Sequence, residues 1–428
     1  MRGVTVNVSL IKRHSLFLVL LLMYIIVNSW FLMKHPGSIF NQPERFGEAI
    51  STYGSRDASL YAKMAWQLIN EGIYGYNSEE PNAYVTPGQP YYLVAIFKVA
   101  EWMQTNHVML ARLSNMILNI LTVVLIYTIS IKLFKKQTIG LVASLLYCTH
   151  IAPYHYFRTT LTETPSIFLF LLSIWIFLMA LETGKYRYHV LFGIVASIML
   201  MFRPTPAPIL LLAWAIVLLR QGFREGVKIG FIWTIGPLVI MLPWVIRNIL
   251  LFDHMYLFSS HSGDPLLAGT NPFHMEDYPT IVQTARDLGV SFQEHGWTRI
   301  KQGFQENFPL YFAWFTVGKT IWLFIDPTGI PDGLGPYQET FPEFLSTFFI
   351  YQNAFLAIFG LLFAYLFRKH KPFMALSLVV LIYIVFSNIF LTIPRYGLII
   401  MPILAIITGY GLSFLIEQIT GKVKKWAK

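Results

Sequence analysis

Two carboxylates and three arginines stand where apolar stretches begin or end. Asp57 lies in Ser55-Arg56-Asp57-Ala58-Ser59-Leu60-Tyr61, and Glu163 directly precedes a long apolar run. A carboxylate within reach of a hydroxyl can take its proton and make it a nucleophile. Arg203 (Phe202-Arg203-Pro204), Arg247 (Pro243-Trp244-Val245-Ile246-Arg247-Asn248) and Arg395 (Pro394-Arg395-Tyr396) end or begin other apolar runs. Guanidinium groups match phosphate oxygens in charge and geometry. Carboxylates beside arginines therefore suggest proton removal next to a phosphate. Each residue also has a plainer reading. Asp57 and Glu163 sit where a helix dipole favours a negative charge. Any one arginine can run its stem along apolar surface and keep its charge in water. The segment His261-Ser262-Gly263-Asp264 offers metal-ligand residue types at a spacing common to many loops.

The elements that must position these groups are membrane helices. Of the 428 residues, 55% are hydrophobic, 16% aromatic and 13% charged, with a mean hydropathy of +0.54. A soluble domain carries about a quarter charged residues. A transmembrane helix needs about 20 apolar residues. Ten such runs are expected: 15–33, 108–131, 138–157, 164–181, 188–202, 206–219, 229–248, 348–367, 373–392 and 397–416. The first follows Arg2, Lys12 and Arg13 and lacks a small-residue cleavage site, so it reads as a retained span. The fifth and sixth share the hinge Arg203-Pro204-Thr205-Pro206. Cys148, the single cysteine, permits no internal disulfide.

Charge assigns the sides. Segments 1–14, 132–137, 182–187, 220–228, 368–372 and 417–428 hold 18 of the 32 Lys and Arg residues but only 3 of the 22 Asp and Glu residues. Short positive loops stay cytoplasmic. Both termini are thus expected inside, and nearly all carboxylates outside. This distribution also explains the net charge of +10 without nucleic acid. Two long outer loops, about 34–107 and 249–347, contain aromatic stretches (Pro90 to Met103 and Phe308 to Phe324) expected to be interfacial or re-entrant helices. Leu60, Met64 and Leu68, with Tyr61 and Ala65 beside them, predict a short amphipathic helix after Asp57. The sequence shows no repeat and no separate soluble domain. It reads as one membrane-embedded domain over 1–428.

In this order the motifs resemble a known family. Asp57, Tyr61, Ala65, Leu68 and Gly72 with Thr86-Pro87-Gly88-x-Pro90-Tyr91 look like the first outer loop of polyprenyl-phosphate-sugar-dependent glycosyltransferases. That family includes bacterial relatives of the protein mannosyltransferases and the lipid A aminoarabinose transferases. The resemblance continues through Ala111-Arg112-Leu113, Leu161-Thr162-Glu163, Arg203-Pro204, Pro243-Trp244-x-x-Arg247-Asn248, Gly269-Thr270-Asn271-Pro272 and Arg395-Tyr396. It implies the all-α type C glycosyltransferase fold, with interfacial helices in the first outer loop and a cell-membrane location.

It implies a donor sugar on polyprenyl phosphate and inverting transfer to an acceptor hydroxyl on the outer face. Asp57 would be the general base and Glu163 a second carboxylate. Arg203, Arg247 and Arg395 would bind the phosphate, and Tyr61, Tyr91 and Asn271 the acceptor or sugar. The acceptor would be a glycan, lipid or protein. Relatives often pair the aspartate with a following acidic residue; here that residue is Ala58. A divalent cation is compatible with these carboxylates but not specified by them. A transporter or flippase of lipid-linked saccharides is the alternative from another class, and a polymerase or ligase of such saccharides is closer. Charges grouped at span ends rather than mid-membrane favour an enzyme.

Overall fold

The computed structural model describes residues 8–34, 56–325 and 343–420; the lysine-rich tail and parts of both long outer loops lie outside them. Helices and turns build everything described, and no strand occurs among these residues. Hydrocarbon offers backbone groups no partner, so a spanning segment must satisfy its own hydrogen bonds.

Helix α1 (Val8–Lys34) leads to α2 (Arg56–Asn70) and α3 (Gly88–Trp102). The expected amphipathic helix after Asp57 is α2. Its Ala62 and Ala65 pack with Leu93 and Phe97 of α3 and with Val108 and Ala111, which open α4 (His107–Phe134). Three polar contacts fasten this layer to the body. Thr86 Oγ1 donates to Phe202 O at 3.1 Å, Gln89 Nε2 donates to Thr160 O at 2.6 Å, and Thr160 Oγ1 donates to Ala58 O.

Next come α5 (Gln137–Cys148), α6 (Ile151–Tyr156), α7 (Glu163–Thr183), α8 (Tyr186–Phe202) and α9 (Ala207–Gln221). The expected span 138–157 is not one helix: it breaks at Thr149-His150. Side chains from a later helix satisfy the break. Asn353 Oδ1 lies 3.0 Å from His150 Nε2, and Gln352 Nε2 donates to Leu146 O and Thr149 Oγ1. The hinge at 203–206 separates α8 from α9, as its prolines predict.

Helices α10 (Phe223–Trp233) and α11 (Leu242–Phe252) join through a π-turn, Pro237–Met241. The second long loop folds into α12 (Gly263–Ala268), α13 (Tyr278–Asp287) and α14 (Phe292–Glu306). After it, α15 (Phe308–Ala313), a π-turn at Trp314–Gly318 and α16 (Lys319–Ile325) run on. The chain closes with α17 (Glu343–Leu366), α18 (Lys371–Ser387) and α19 (Met401–Ile419).

Six helical stretches among the described residues are long and apolar enough to cross a bilayer: His14–Lys34, His107–Phe134, Glu163–Thr183, Phe223–Phe252, Phe308–Ile325 and Met401–Ile419. Shorter apolar helices accompany the remaining expected spans. Phe308–Ile325, expected to be interfacial or re-entrant, is long and apolar enough to cross. Counted as a crossing, it breaks the even parity that put both termini on one side.

The core centres on α19, buried from Met401 through Gly411. It lies against α5 and α17. A Cβ on Gly409 would stand 2.8 Å from Ala143 N, so only glycine allows this approach to α5.

Candidate active site

Asp57 and Glu163 each open a helix, and two irregular segments carry the arginines to them. Arg203 ends α8 in extended backbone, as a residue before proline must. Its Nε donates to Thr162 Oγ1 at 2.7 Å, and its Nη2 pairs with Glu163 Oε1. Arg395 lies in a 3-10 turn, Pro394–Ile399, between α18 and α19. Its Nη2 donates to Asp57 Oδ2 at 2.8 Å, and its Nε is 3.8 Å from Glu163 Oε1. Both guanidinium groups lie over the Tyr396 ring, at 4.7 Å and 5.5 Å. The Tyr383 hydroxyl donates to Tyr396 O at 2.6 Å and holds that ring's backbone.

These residues border a cavity of about 1210 Å³. Asp57, Tyr61, Arg203 and Arg395 line it. Glu163 does not; its side chain is 1% exposed, behind the two arginines. Two acidic and two basic groups thus neutralise one another, with Asp57 and the arginines facing the open space. Burial disfavours charge on Arg395, but Glu163, Tyr396 and Asp57 outweigh it and hold the group charged far above the ordinary arginine range.

Tyr76, which the sequence reading missed, also binds Asp57. Its hydroxyl donates to Asp57 Oδ1 at 2.7 Å. Burial, the Asp57 charge and this bond all push the Tyr76 phenol up, so it remains a donor. Each Asp57 oxygen is therefore engaged from a different direction. A carboxylate has about four lone-pair sites, which leaves room for a further donor. Beyond Tyr76 stand Tyr84 and His261. The Tyr84 hydroxyl donates to Asp264 Oδ2 at 3.2 Å, and His261 Nδ1 is 2.7 Å from the same oxygen. Burial and then the Asp264 charge raise the Tyr84 phenol to about 12. Burial lowers His261 from its ordinary value, against the pull of Asp264 and Asp57.

The remaining sequence candidates lie elsewhere. Arg247 is stacked among Tyr74, Trp244 and Phe252, with Nη1 on Asn248 Oδ1 at 2.8 Å and Nη2 on Asn82 O at 3.3 Å. Tyr91 is half exposed, with its ring centre 6.1 Å from that of Tyr74. Asn271 is buried and closes a turn: its Nδ2 donates to Glu276 O, and its Oδ1 accepts from Glu276 N. None of the three lines the cavity.

Lys319 was also missed. It is fully buried, and its Nζ donates to Asn388 O at 2.7 Å and Phe390 O at 3.0 Å. Leu391 N donates to Pro265 O at 2.6 Å. These bonds pin the backbone just ahead of Arg395.

A divalent cation fits this donor set poorly. No group of three or more His, Cys, Asp or Glu side chains with metal-site geometry occurs among the described residues. Both site carboxylates are already neutralised by guanidinium groups that would repel a cation.

Residues 84–247 match the model of the dolichyl-phosphate-mannose-protein mannosyltransferase family. No curated protein matches the chain in sequence. Several solved structures are similar to it. The Archaeoglobus fulgidus oligosaccharyltransferase tethered with an acceptor peptide is 13% identical with a TM-score of 0.55, over 97% of this chain and 51% of that one. Archaeal oligosaccharyltransferase AglB from the same organism, in complex with an inhibitory peptide and a dolichol-phosphate, is 14% identical with a TM-score of 0.50, over 98% and 53%. ArnT from Cupriavidus metallidurans bound to undecaprenyl phosphate is 12% identical with a TM-score of 0.42, over 95% and 81%. The chain spans about half the length of the oligosaccharyltransferases it matches. It therefore has the helical membrane fold of the oligosaccharyltransferases, with the mannosyltransferase family pattern across residues 84–247, in agreement with the type C resemblance drawn from the sequence.

Proposed function

We propose that this chain is a membrane glycosyltransferase that moves a sugar from a polyprenyl-phosphate carrier to an acceptor hydroxyl on the outer face of the membrane. The observation that carries the proposal is Asp57, set at the cavity wall between the Arg395 guanidinium and the Tyr76 hydroxyl, with Arg203 close by. The matched mannosyltransferase family model and the dolichol-phosphate bound by AglB support a lipid-phosphate donor.

The carrier phosphate sits against Arg203 and Arg395. Asp57 takes the proton of the acceptor hydroxyl as its oxygen attacks the anomeric carbon. The bond from that carbon to the phosphate oxygen breaks, and its electron pair leaves with polyprenyl phosphate. Charge grows on the phosphate, where two fixed guanidinium groups stabilise it. A single displacement inverts the anomeric centre. Glu163 positions both arginines rather than touching substrate. Tyr61 borders the reacting groups. Arg247, Tyr91 and Asn271 brace the surrounding loops. The outward placement rests on the distribution of acidic and basic residues along the chain.

Asp57→Asn in proteoliposomes supplied with polyprenyl-phosphate sugar tests this. Transfer, followed by mass spectrometry of the acceptor, should fall by about 10²- to 10⁴-fold, the usual worth of a general base. Wild-type transfer rates in that variant would refute the role of Asp57. Movement of intact lipid-linked sugar across the bilayer without covalent transfer would refute the enzyme and favour a flippase.

A further inference from the structure

We infer that the half of the cavity formed by Tyr76, Tyr84 and His261 is the acceptor subsite, and that it takes a neutral saccharide. This rests on the glycosyltransferase reading, and it commits to one of the acceptor classes that reading leaves open.

The geometry of Asp57 divides the cavity. Oδ2 faces Arg395, and Arg203 stands on that flank through Glu163. Oδ1 faces Tyr76, and from there a ladder of rings leads away. Tyr76 and Tyr84 are stacked at 5.2 Å between centroids and 11° between planes; Tyr84 and His261 follow at 4.1 Å and 36°. The base thus lies between a phosphate-binding flank and an aromatic flank. The hydroxyl it deprotonates must approach from the side opposite the leaving phosphate, which is the aromatic one.

Charge limits what can sit there. Among the described lining residues, Asp57, Arg203 and Arg395 are the only ones with a formal charge, histidines aside, and all belong to the first flank. The aromatic flank adds neutral hydrogen-bonding groups such as Asn77, Ser260 and Gln293. An anionic headgroup would find no fixed counter-charge there, and the Asp264 carboxylate that holds Tyr84 and His261 would repel it. A saccharide needs none: its hydroxyls bond to neutral polar groups, and its C–H face meets the electron-rich face of an aromatic ring. Rings 5.2 Å apart and nearly parallel are slipped, so each keeps part of a face uncovered, and Tyr84 is 36% exposed. Small-molecule sites usually measure about 300–1,000 Å³. At about 1210 Å³, the cavity has room for the donor head and an acceptor together.

Binding to the full chain in nanodiscs, read by saturation-transfer NMR, tests the inference. The probes are neutral linear trisaccharides, a serine- and threonine-containing peptide, and an anionic phospholipid. The trisaccharides should bind the wild type. Tyr84→Ala should weaken that binding by about tenfold, as loss of an aromatic anchor does. Tyr84→Phe keeps the ring and should bind within about twofold of wild type. Affinity for polyprenyl phosphate should hold in both variants, which reports an intact donor flank. Failure of the trisaccharides to bind, equal binding to Tyr84→Ala, or Tyr84-dependent binding of the peptide or phospholipid instead would each overturn the inference. Because this assay needs no donor turnover, trisaccharide binding without any sugar transfer would defeat the enzyme reading while leaving the subsite standing.

Discussion

Arg395 and Arg247 both reach residues of the first loop, one through a carboxylate and the other through a backbone carbonyl. Arg395 meets Asp57 and Glu163 beside a large cavity. Arg247 meets Asn82 O and three aromatic rings, with no carboxylate in its shell among the described residues. The first guanidinium is held charged with part of its surface facing open space, ready for a second anion. The second uses its faces as packing surface. An arginine thus binds a ligand or braces a fold according to the partners its neighbours supply.

Substitution should separate the two. Arg395→Ala, or Arg203→Ala, should lower kcat for sugar transfer by about 10²- to 10³-fold, the usual loss when a donor to a developing oxyanion is removed. Arg247→Ala should leave kcat within about threefold and instead lower thermal stability by about 0.5–2 kcal/mol, the range of a cation–π contact. Equal kinetic losses in the two variants would erase the distinction.

Lys319→Met sharpens the comparison from a distance. A few residues ahead of Arg395, it strands the buried Asn388 carbonyl, which costs about 1–3 kcal/mol, and leaves Phe390 O only a long bond from Thr392. Transfer should fall by about tenfold, mainly through weaker donor binding and so a higher KM, if the loosened segment displaces Arg395. A loss confined to melting temperature would reduce Lys319 to a packing role.

The smallest effect is the most specific. Arg395 is shared between Asp57 and an incoming phosphate. Asp57→Asn should therefore tighten binding of polyprenyl phosphate while abolishing transfer. The gain should be about two- to fivefold, the worth of a partly exposed ion pair. Unchanged or weaker binding, measured by calorimetry, would show that carboxylate and phosphate do not compete.

Much of this arrangement was legible in the residues, for a physical reason. Apolar runs declare membrane helices, and a charge at the end of such a run is costly enough to demand a partner. Asp57, Glu163, Arg203 and Arg395 carried that signal, and the structure brings them together. Arg247 carried the same signal, yet its partners are aromatic, and aromatic residues at membrane boundaries are too common to be read as a shell. Tyr76 and Tyr84 were hidden for the same reason. The break at Thr149-His150 has a local mark in Pro153, which cannot bond the Thr149 carbonyl four residues back, but Gln352 and Asn353, which satisfy it, lie some 200 positions away. Lys319 dilutes the hydropathy of Phe308–Ile325, while the carbonyls that accept from that lysine belong to another part of the chain.

The π-turn at Trp314–Gly318 gives that stretch an unusual sensitivity to length. A π-turn fits one more residue into a turn than an α-helix does. Deleting a single residue there would let the helix close into regular α geometry, with no broken backbone bonds to betray the change. That deletion would leave the two sides in phase, because the π-turn already absorbs the extra residue; inserting one more residue would instead re-phase them by about 100°. Lys319 would then swing off the carbonyls of Asn388 and Phe390, and the support beneath Arg395 would go with it. Here chain length, rather than residue identity, sets the aim of a side chain.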